Sequence, residues 1–330
     1  MDHIFLGKPK ILVVDDSADN IELISQILNS PTNPYDIYSV KDGYQALEKI
    51  KTLTPDLIIL DVVMPGIDGF EVCRQLKDNH LTRLIPIVMI TALGSQKDRI
   101  RGLEVGVDDF ISKPFNIYEL IARVKNLLNL RSYISELEHA EQVIFSLARA
   151  VEAKDNYTEG HCERLSIIAQ EVGKKLGMGE QDMLVLKRGG ILHDIGKIAI
   201  DDSILLKPGP LTPEEFKIVK THPEIGENIC RPLKTLQTVL PVIRFHQERY
   251  NGSGYPDGLV GEEIPLHARI IGVVDCYDAL TTDRTYRKAL PPEVAIDIIG
   301  RETIEGLWDP ELSTILQEVV KDNNRIALNV

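Results

Sequence analysis

The chain has 330 residues, which at roughly 150 residues per domain is enough for two domains that each bury a core. Hydrophobic residues make up 43% and charged residues 26%, an ordinary globular composition that excludes a disordered, collagen-like or repeat chain. The 50 acidic residues against 37 basic ones leave a formal net charge of -13, which argues against general attraction to nucleic acid and requires local cations to hold any anionic substrate. The longest apolar runs, such as Leu84 to Ile90 interrupted by Pro86, fall far short of the roughly 18 residues of a membrane span. Residues Met1 to Lys10 do not resemble a secretory signal, and Cys73, Cys162, Cys230 and Cys276 form no Cys-x-x-Cys pair. The expected location is the cytoplasm, with no membrane or nucleic-acid partner.

In chain order, the strand-like runs are Ile11 to Val14, Ile37 to Val40, Leu57 to Leu60, Ile85 to Ile90 and Phe110 to Ile111, with helical spacing between them. Strands separated by helix-length segments predict a doubly wound α/β unit with a five-stranded parallel sheet. Ligands of such sheets sit at the carboxyl ends of the strands. Asp15 and Asp16 follow the first run, Asp61 the third, Thr91 the fourth and Lys113 the fifth.

After Ile117 a helix without Gly or Pro is predicted up to Gly160. Leu120, Leu127, Leu130, Ile134, Leu137, Ile144, Ala148 and Val151 recur at alternating spacings of three and four, broken by Arg123 and Glu141. Such a seam pairs with a second copy as a short coiled coil, or packs on its own domain. Beyond Gly160 the period is helical, with turns at Gly177-Met178-Gly179, Lys207-Pro208-Gly209-Pro210, Asn251-Gly252-Ser253-Gly254 and Pro291-Pro292, so the second half is expected to be all-α. The predicted organisation is a domain over 8–130, a linker helix over 131–152 and a second domain over 153–330.

Three carboxylates converging from Asp15, Asp16 and Asp61 repel one another unless a hard cation such as Mg²⁺ neutralises them. With the hydroxyl of Thr91 and the ammonium of Lys113, such a pocket can accept a phosphoryl group onto one Asp. The segments Asp61-Val62-Val63-Met64-Pro65-Gly66, Thr91-Ala92 and Lys113-Pro114-Phe115 occur in this order at strand ends. Residues 8 to 130 resemble the receiver domain of two-component response regulators. The resemblance implies that Asp61 is the phosphoacceptor, that Asp15, Asp16 and Asp61 bind Mg²⁺, that Thr91, Phe110 and Lys113 form the switch, and that a sensor histidine kinase is the partner.

The second half carries His161, His193-Asp194, His222, His246 and Asp275. Imidazoles and carboxylates suit Mn, Fe, Zn or Ni, and an adjacent His-Asp pair can address two neighbouring cations. His3, His139 and His267 read as surface or packing residues. The local patterns are Tyr157-Thr158-Glu159-Gly160-His161, His193-Asp194-Ile195-Gly196-Lys197, Thr221-His222-Pro223-Glu224, His246-Gln247-Glu248-Arg249, Gly254-Tyr255-Pro256, Asp275-Cys276-Tyr277-Asp278 and Asp283-Arg284-Thr285-Tyr286-Arg287-Lys288. Over about residues 145 to 325 they resemble the HD-GYP family of metal-dependent phosphohydrolases. The resemblance implies hydrolysis of the 3′–5′ phosphodiester of cyclic di-GMP to pGpG or GMP by two divalent transition metals, Fe or Mn before Ni or Zn. It places Asp194 as the bridging ligand, with His161, His193 and Asp275 on one side and His222 and His246 on the other. Asp194 and Lys197 are then catalytic, and Lys197, Tyr255, Arg284, Arg287 and Lys288 bind substrate; for the last three a solvated charged stretch is the other reading. It also implies a homodimer and diguanylate cyclase (GGDEF) proteins as further partners.

Two features depart from the family pattern. Gln247 stands where many relatives have a second histidine, and an amide is a poor metal ligand. Tyr157 stands where relatives with three metals have a Glu, four residues before the first histidine; its phenol stays neutral, so at most two metals per chain are expected. The expected function is a phosphorylation-regulated cyclic di-GMP phosphodiesterase; the alternative is a receptor or scaffold that binds the nucleotide or a protein with little turnover. No basic recognition helix supports a transcription factor.

Overall fold

The computed structural model describes residues 8–29, 35–91, 96–154, 160–283 and 288–327, with the side chains of 96–99 and 323–327 outside the description. The chain divides into two compact units, Met1–Ala140 and Glu141–Val330.

The first unit alternates β1 (Lys10–Val14), α1 (Ala18–Leu28), β2 (Asp36–Val40), α2 (Gly43–Leu53), β3 (Leu57–Asp61), α3 (Gly69–Asp78), β4 (Ile87–Thr91), α4 (Gln96–Glu104) and β5 (Asp109–Ser112). All strand pairs are parallel, in the order β2-β1-β3-β4-β5. The period of two along each strand sends alternate side chains to opposite faces. Leu12, Val14, Ile58 and Leu60 pack with Ala46, Ile50, Phe70 and Val72 on one side. Ile11, Val13, Leu57 and Ile59 pack with Ile24, Leu28, Leu120, Val124 and Leu128 on the other. Because helices cover both faces, β3 and β4 are buried throughout, as expected for central parallel strands. Side-chain caps from Ser17, Asp42 and Asp68 start α1, α2 and α3, each satisfying a backbone donor the helix cannot.

α5 runs unbroken over Ile117–Lys154, the long helix expected from the absence of Gly and Pro. The sequence seam does not face one way along it. Leu120 and Leu128 are in the core of the first unit, whereas Ala148 and Val151 are buried in the second. Glu141, one of its two breaks, pairs with Arg188 at 2.8 Å. The large apolar side chains exposed on α5 between these ends are Leu130, Tyr133, Leu137, Val143 and Leu147.

The second unit continues with α6 (His161–Lys175), α7 (Glu180–Leu192), α8 (Asp202–Leu205), α9 (Pro213–Val219), α10 (His222–Cys230), α11 (Leu240–Phe245), α12 (Leu266–Thr281), α13 (Pro292–Ile304) and α14 (Pro310–Ala327). A 3₁₀ turn, Ile195–Ala199, follows α7. Its larger core gathers Leu165, Leu186, Ile270, Val274 and Leu316 from α6, α7, α12 and α14, with Trp308 from the segment before α14; each such side chain contributes about 1.5–3 kcal/mol by leaving water. A second cluster holds Ala148, Cys162, Leu192, Ile195, Cys230 and Ile243, of which Cys162, Leu192 and Ile195 are chain neighbours of His161, His193 and Asp194. Among the described residues no helix is long and apolar enough to cross a membrane.

Candidate functional site

In the first unit the strand order reverses between β1 and β3, and the residues at their carboxyl ends meet there. Ligand oxygens of Asp15, Asp16 and Asp61 lie within 4.8 Å of one another. Asp15 and Asp61 are buried, whereas Asp16 is exposed. Lys113, just past β5, reaches across with Nζ to Asp61 Oδ2 at 2.7 Å and Asp15 Oδ2 at 3.0 Å. Burial raises the Asp61 carboxyl above its ordinary value against the opposing pull of Lys113. Burial also acts to lower Lys113, but its hydrogen bonds to Asp61 and Asp15 raise it overall. Asp15 is further held by Ser17 N and by both-sided contacts from Asn20 Nδ2 at 3.0 Å. Asn20 was not marked by the sequence motifs. Thr91 is buried at the end of β4, and the Phe110 ring fills the space a side chain at Gly102 of α4 would need.

In the second unit two donor sets share one residue. His161, His193 and Asp194 form one, and Asp194, His222 and His246 the other, each with ligand atoms within 4.8 Å. Asp275 joins the first side, its Oδ1 3.5 Å from His161 Nε2. The helices bring these together through their ends: His193 and Asp194 leave α7, His161 opens α6, His222 opens α10 and His246 closes α11. Gly196 permits the closest approach, since a Cβ there would lie 1.9 Å from the His222 carbonyl oxygen.

The ring orientations suit cations. Nδ1 of His193, His222 and His246 faces the carbonyl of Gly190, Val219 and Ile243 respectively, at 2.9, 2.7 and 2.9 Å. A carbonyl only accepts, so Nδ1 carries a proton and Nε2 is the nitrogen each ring turns inward toward a cation. His193 Nε2 and Asp194 Oδ1 are buried without a hydrogen bond, the condition that a metal relieves. Burial pushes His246 down to about 4. Burial acts in the same direction on His193, but Asp194 overrides it and raises His193 to about 9; a cation binding there would displace that proton. Burial works to raise Asp194, yet Lys197 and His193 hold it well below the usual carboxylate range.

His161 is oriented differently. Its Nδ1 lies 2.7 Å from Asp278 Oδ2, and Arg164 grips the same carboxylate through Nε to Oδ1 at 2.8 Å and Nη2 to Oδ2 at 3.0 Å. Asp278 and Arg164 were missed as functional residues. Each lies three positions after a metal-type ligand, Asp275 or His161, and hence on the same helix face, which was the available signal.

Around the centre, Lys197 Nζ lies 2.7 Å from Asp194 Oδ2. Tyr255 packs edge-on to His222 with ring centroids 6.3 Å apart, and Lys220 Nζ lies 5.1 Å over the Tyr255 ring. Burial raises the Tyr255 hydroxyl above its ordinary value. The Tyr255 loop is anchored by Glu248, 4% exposed, whose Oε1 accepts from Asp257 N and Gly258 N at 2.8 and 3.0 Å. Gly254 is required here because a Cβ would meet Arg249 N at 2.3 Å. Lys288 is exposed, and Tyr157, Arg284 and Arg287 lie outside the described residues. The surface histidine His267 bonds Asp182 at 3.0 Å.

Residues 11–125 match the response regulator receiver domain and residues 145–312 match the HD domain, a domain type that carries a divalent-metal site; the His/Asp cluster is where this chain can form it. Over 321 residues the chain is 38% identical to cyclic di-GMP phosphodiesterase response regulator RpfG of Xanthomonas campestris pv. campestris, covering 91% of this chain and 85% of that protein. Over 341 residues it is 31% identical to a cyclic di-GMP phosphodiesterase of Thermotoga maritima, covering 94% of this chain and 90% of that protein. The chain belongs to the two-component response regulators that join an N-terminal receiver domain to a C-terminal HD-GYP domain.

Proposed function

We propose that this chain is a phosphorylation-regulated phosphodiesterase that hydrolyses the 3′–5′ linkage of cyclic di-GMP to pGpG or GMP. The observation that carries the reading is Asp194, a half-buried carboxylate common to two histidine donor sets. His161, His193 and Asp275 would hold one divalent transition metal with Asp194, and His222 and His246 the other; Fe or Mn suits this imidazole and carboxylate set, with Ni or Zn next. When bound, two such cations supply Lewis acidity toward the phosphodiester and a nucleophile drawn from water.

The chain's own groups do the rest. Lys197, now on Asp194, is placed to meet the scissile phosphate or the leaving oxygen. Tyr255 offers a ring face beside His222 and a hydroxyl kept protonated by burial. Lys288, with Arg284 and Arg287, would contact the substrate phosphates. The buried apolar residues Cys162, Leu192 and Ile195 adjoin His161, His193 and Asp194 along the chain.

In the receiver, Asp61 accepts the phosphoryl group from a sensor histidine kinase. Asp15, Asp16 and Asp61 hold Mg²⁺, and Lys113, Thr91 and Phe110 respond to the modification. The reading keeps 8–130 as the phosphoacceptor unit, 131–152 as the linker and 153–330 as the hydrolase. It includes a homodimer formed along the exposed Leu130, Tyr133 and Leu137 stretch of α5, and GGDEF proteins as partners. Purified chain loaded with Mn²⁺ and incubated with cyclic di-GMP tests it: the linear dinucleotide or GMP is expected by chromatography. Nucleotide binding without turnover would instead establish the receptor reading, which the loss of a histidine at Gln247 permits.

A further inference from the structure

α6 opens at His161 with Gly160 as its N-cap, and no side chain of its own caps it. Two side chains from α5 take that place. Glu152 Oε1 accepts from Cys162 N at 3.2 Å, one of the backbone donors a helix leaves unpaired in its first turn. Arg149, one helical turn earlier on the same face, meets Glu163 at 2.7 Å. The same part of α5 buries Ala148 and Val151, and Val151 and Glu152 line a small cavity together with His161, Cys162, Asp194 and Lys197.

We propose that Glu152 is a positioning residue: with Arg149 it clasps the first turn of α6 and so sets where the His161 imidazole stands. The exposed Arg149–Glu163 pair contributes direction rather than energy, and Glu152 holds the backbone itself. Because α5 begins with Leu120 and Val124 in the receiver core, a change in the register of this one helix reaches the first turn of α6 through the Glu152 hydrogen bond and the Arg149 pair. The clasp rests on the binuclear reading above.

The test is Co²⁺ titrated into the metal-depleted full-length chain, followed by its visible absorption, for wild type, His161→Ala, Glu152→Ala and Glu152→Gln. Loss of an outer partner of a metal ligand typically weakens binding about 10- to 100-fold. Glu152→Ala should weaken by that factor the one binding event that His161→Ala removes, and leave the other unchanged. Glu152→Gln, whose amide oxygen still accepts the Cys162 N–H, should restore the wild-type curve. Glu152→Met, which refills the space without an acceptor, carries the expectation of Glu152→Ala and replaces it if the alanine chain does not fold. A wild-type curve from the Ala and Met variants overturns the clasp; so does a Gln variant as weak as Ala, which would make the carboxylate a ligand. Fewer than two Co²⁺ on wild type, or a His161→Ala chain that titrates as wild type, overturns the binuclear reading and the clasp with it.

Discussion

Asp278→Asn isolates the orientation of His161 from its presence. The carboxylate is 3% exposed and receives His161 Nδ1 at 2.7 Å and two Arg164 nitrogens at 2.8 and 3.0 Å. An amide has one accepting and one donating end. With its oxygen toward His161, its NH₂ meets Arg164 donor to donor. Flipped, its NH₂ faces Nδ1, which forces the imidazole proton onto Nε2, the nitrogen on the side of Asp275. Either arrangement loses one partner. Outer-partner losses of this kind cost about 10- to 100-fold in metal affinity, or about 1.4–2.7 kcal/mol. Stability should fall as well, but the Arg164 side chain is 39% exposed, so water replaces part of what it loses. A charged hydrogen bond of about 1.5–3 kcal/mol then shrinks to about 1–2 kcal/mol, and the melting temperature drops by about 2–8 °C for a unit of this size. Calorimetric titration of Mn²⁺ into the metal-depleted chain measures the first effect, and scanning calorimetry in chelator the second. Wild-type affinity together with an unchanged melting temperature would refute the argument that His161 needs this acceptor.

Three further outcomes follow from other parts of the molecule. Asp61→Asn should take up no phosphate from acetyl phosphate, because Asp61 alone combines the β3 end with Lys113 at 2.7 Å; uptake equal to wild type, measured by intact mass, contradicts this. Gln247→His should tighten the weaker metal, read as a higher occupancy at limiting Mn²⁺; an unchanged occupancy means Gln247 does not limit that site. Arg244 joins Glu227 at 2.9 Å and Asp257 at 2.6 Å. At Glu227 burial acts to raise the carboxyl, but Arg231 and then Arg244 pull it down, and at Asp257 Arg244 acts first, so both folded carboxyls lie below their ordinary values. Depressed carboxyls contribute stability above their unfolded pKa of about 4, and that contribution is lost as pH falls below it; the melting temperature of Arg244→Met should therefore decline less steeply than wild type between about pH 4.5 and 3.

The receiver was legible because its information is local. Apolar runs end in Asp15, Asp61 and Thr91, and a parallel sheet can only bring such ends to one edge. The histidine centre was legible for a similar reason, since each ligand sits in a short pattern of its own. What the sequence concealed depends on distant partners. Asp278 acts on a histidine 117 positions away, Glu248 acts through backbone donors of a loop, and Asn20 acts on a carboxylate that α1 happens to pass. The α5 seam left its partner open for a related reason. Alternating spacing defines a stripe but not what lies opposite it, and Leu120, Ala148 and Val151 had their own cores to fill. Glu141 looked like a flaw in the stripe and is instead an ion pair with Arg188.

The account turns on Asp194 as the carboxylate shared by two cations, and counting metals tests that most directly. Elemental analysis of the wild-type chain purified with Mn²⁺ should give two metals per chain in the second unit, and the folded Asp194→Ala variant should hold neither tightly. Three metals held tightly in the second unit of the wild-type chain, or two retained there by Asp194→Ala, would contradict it.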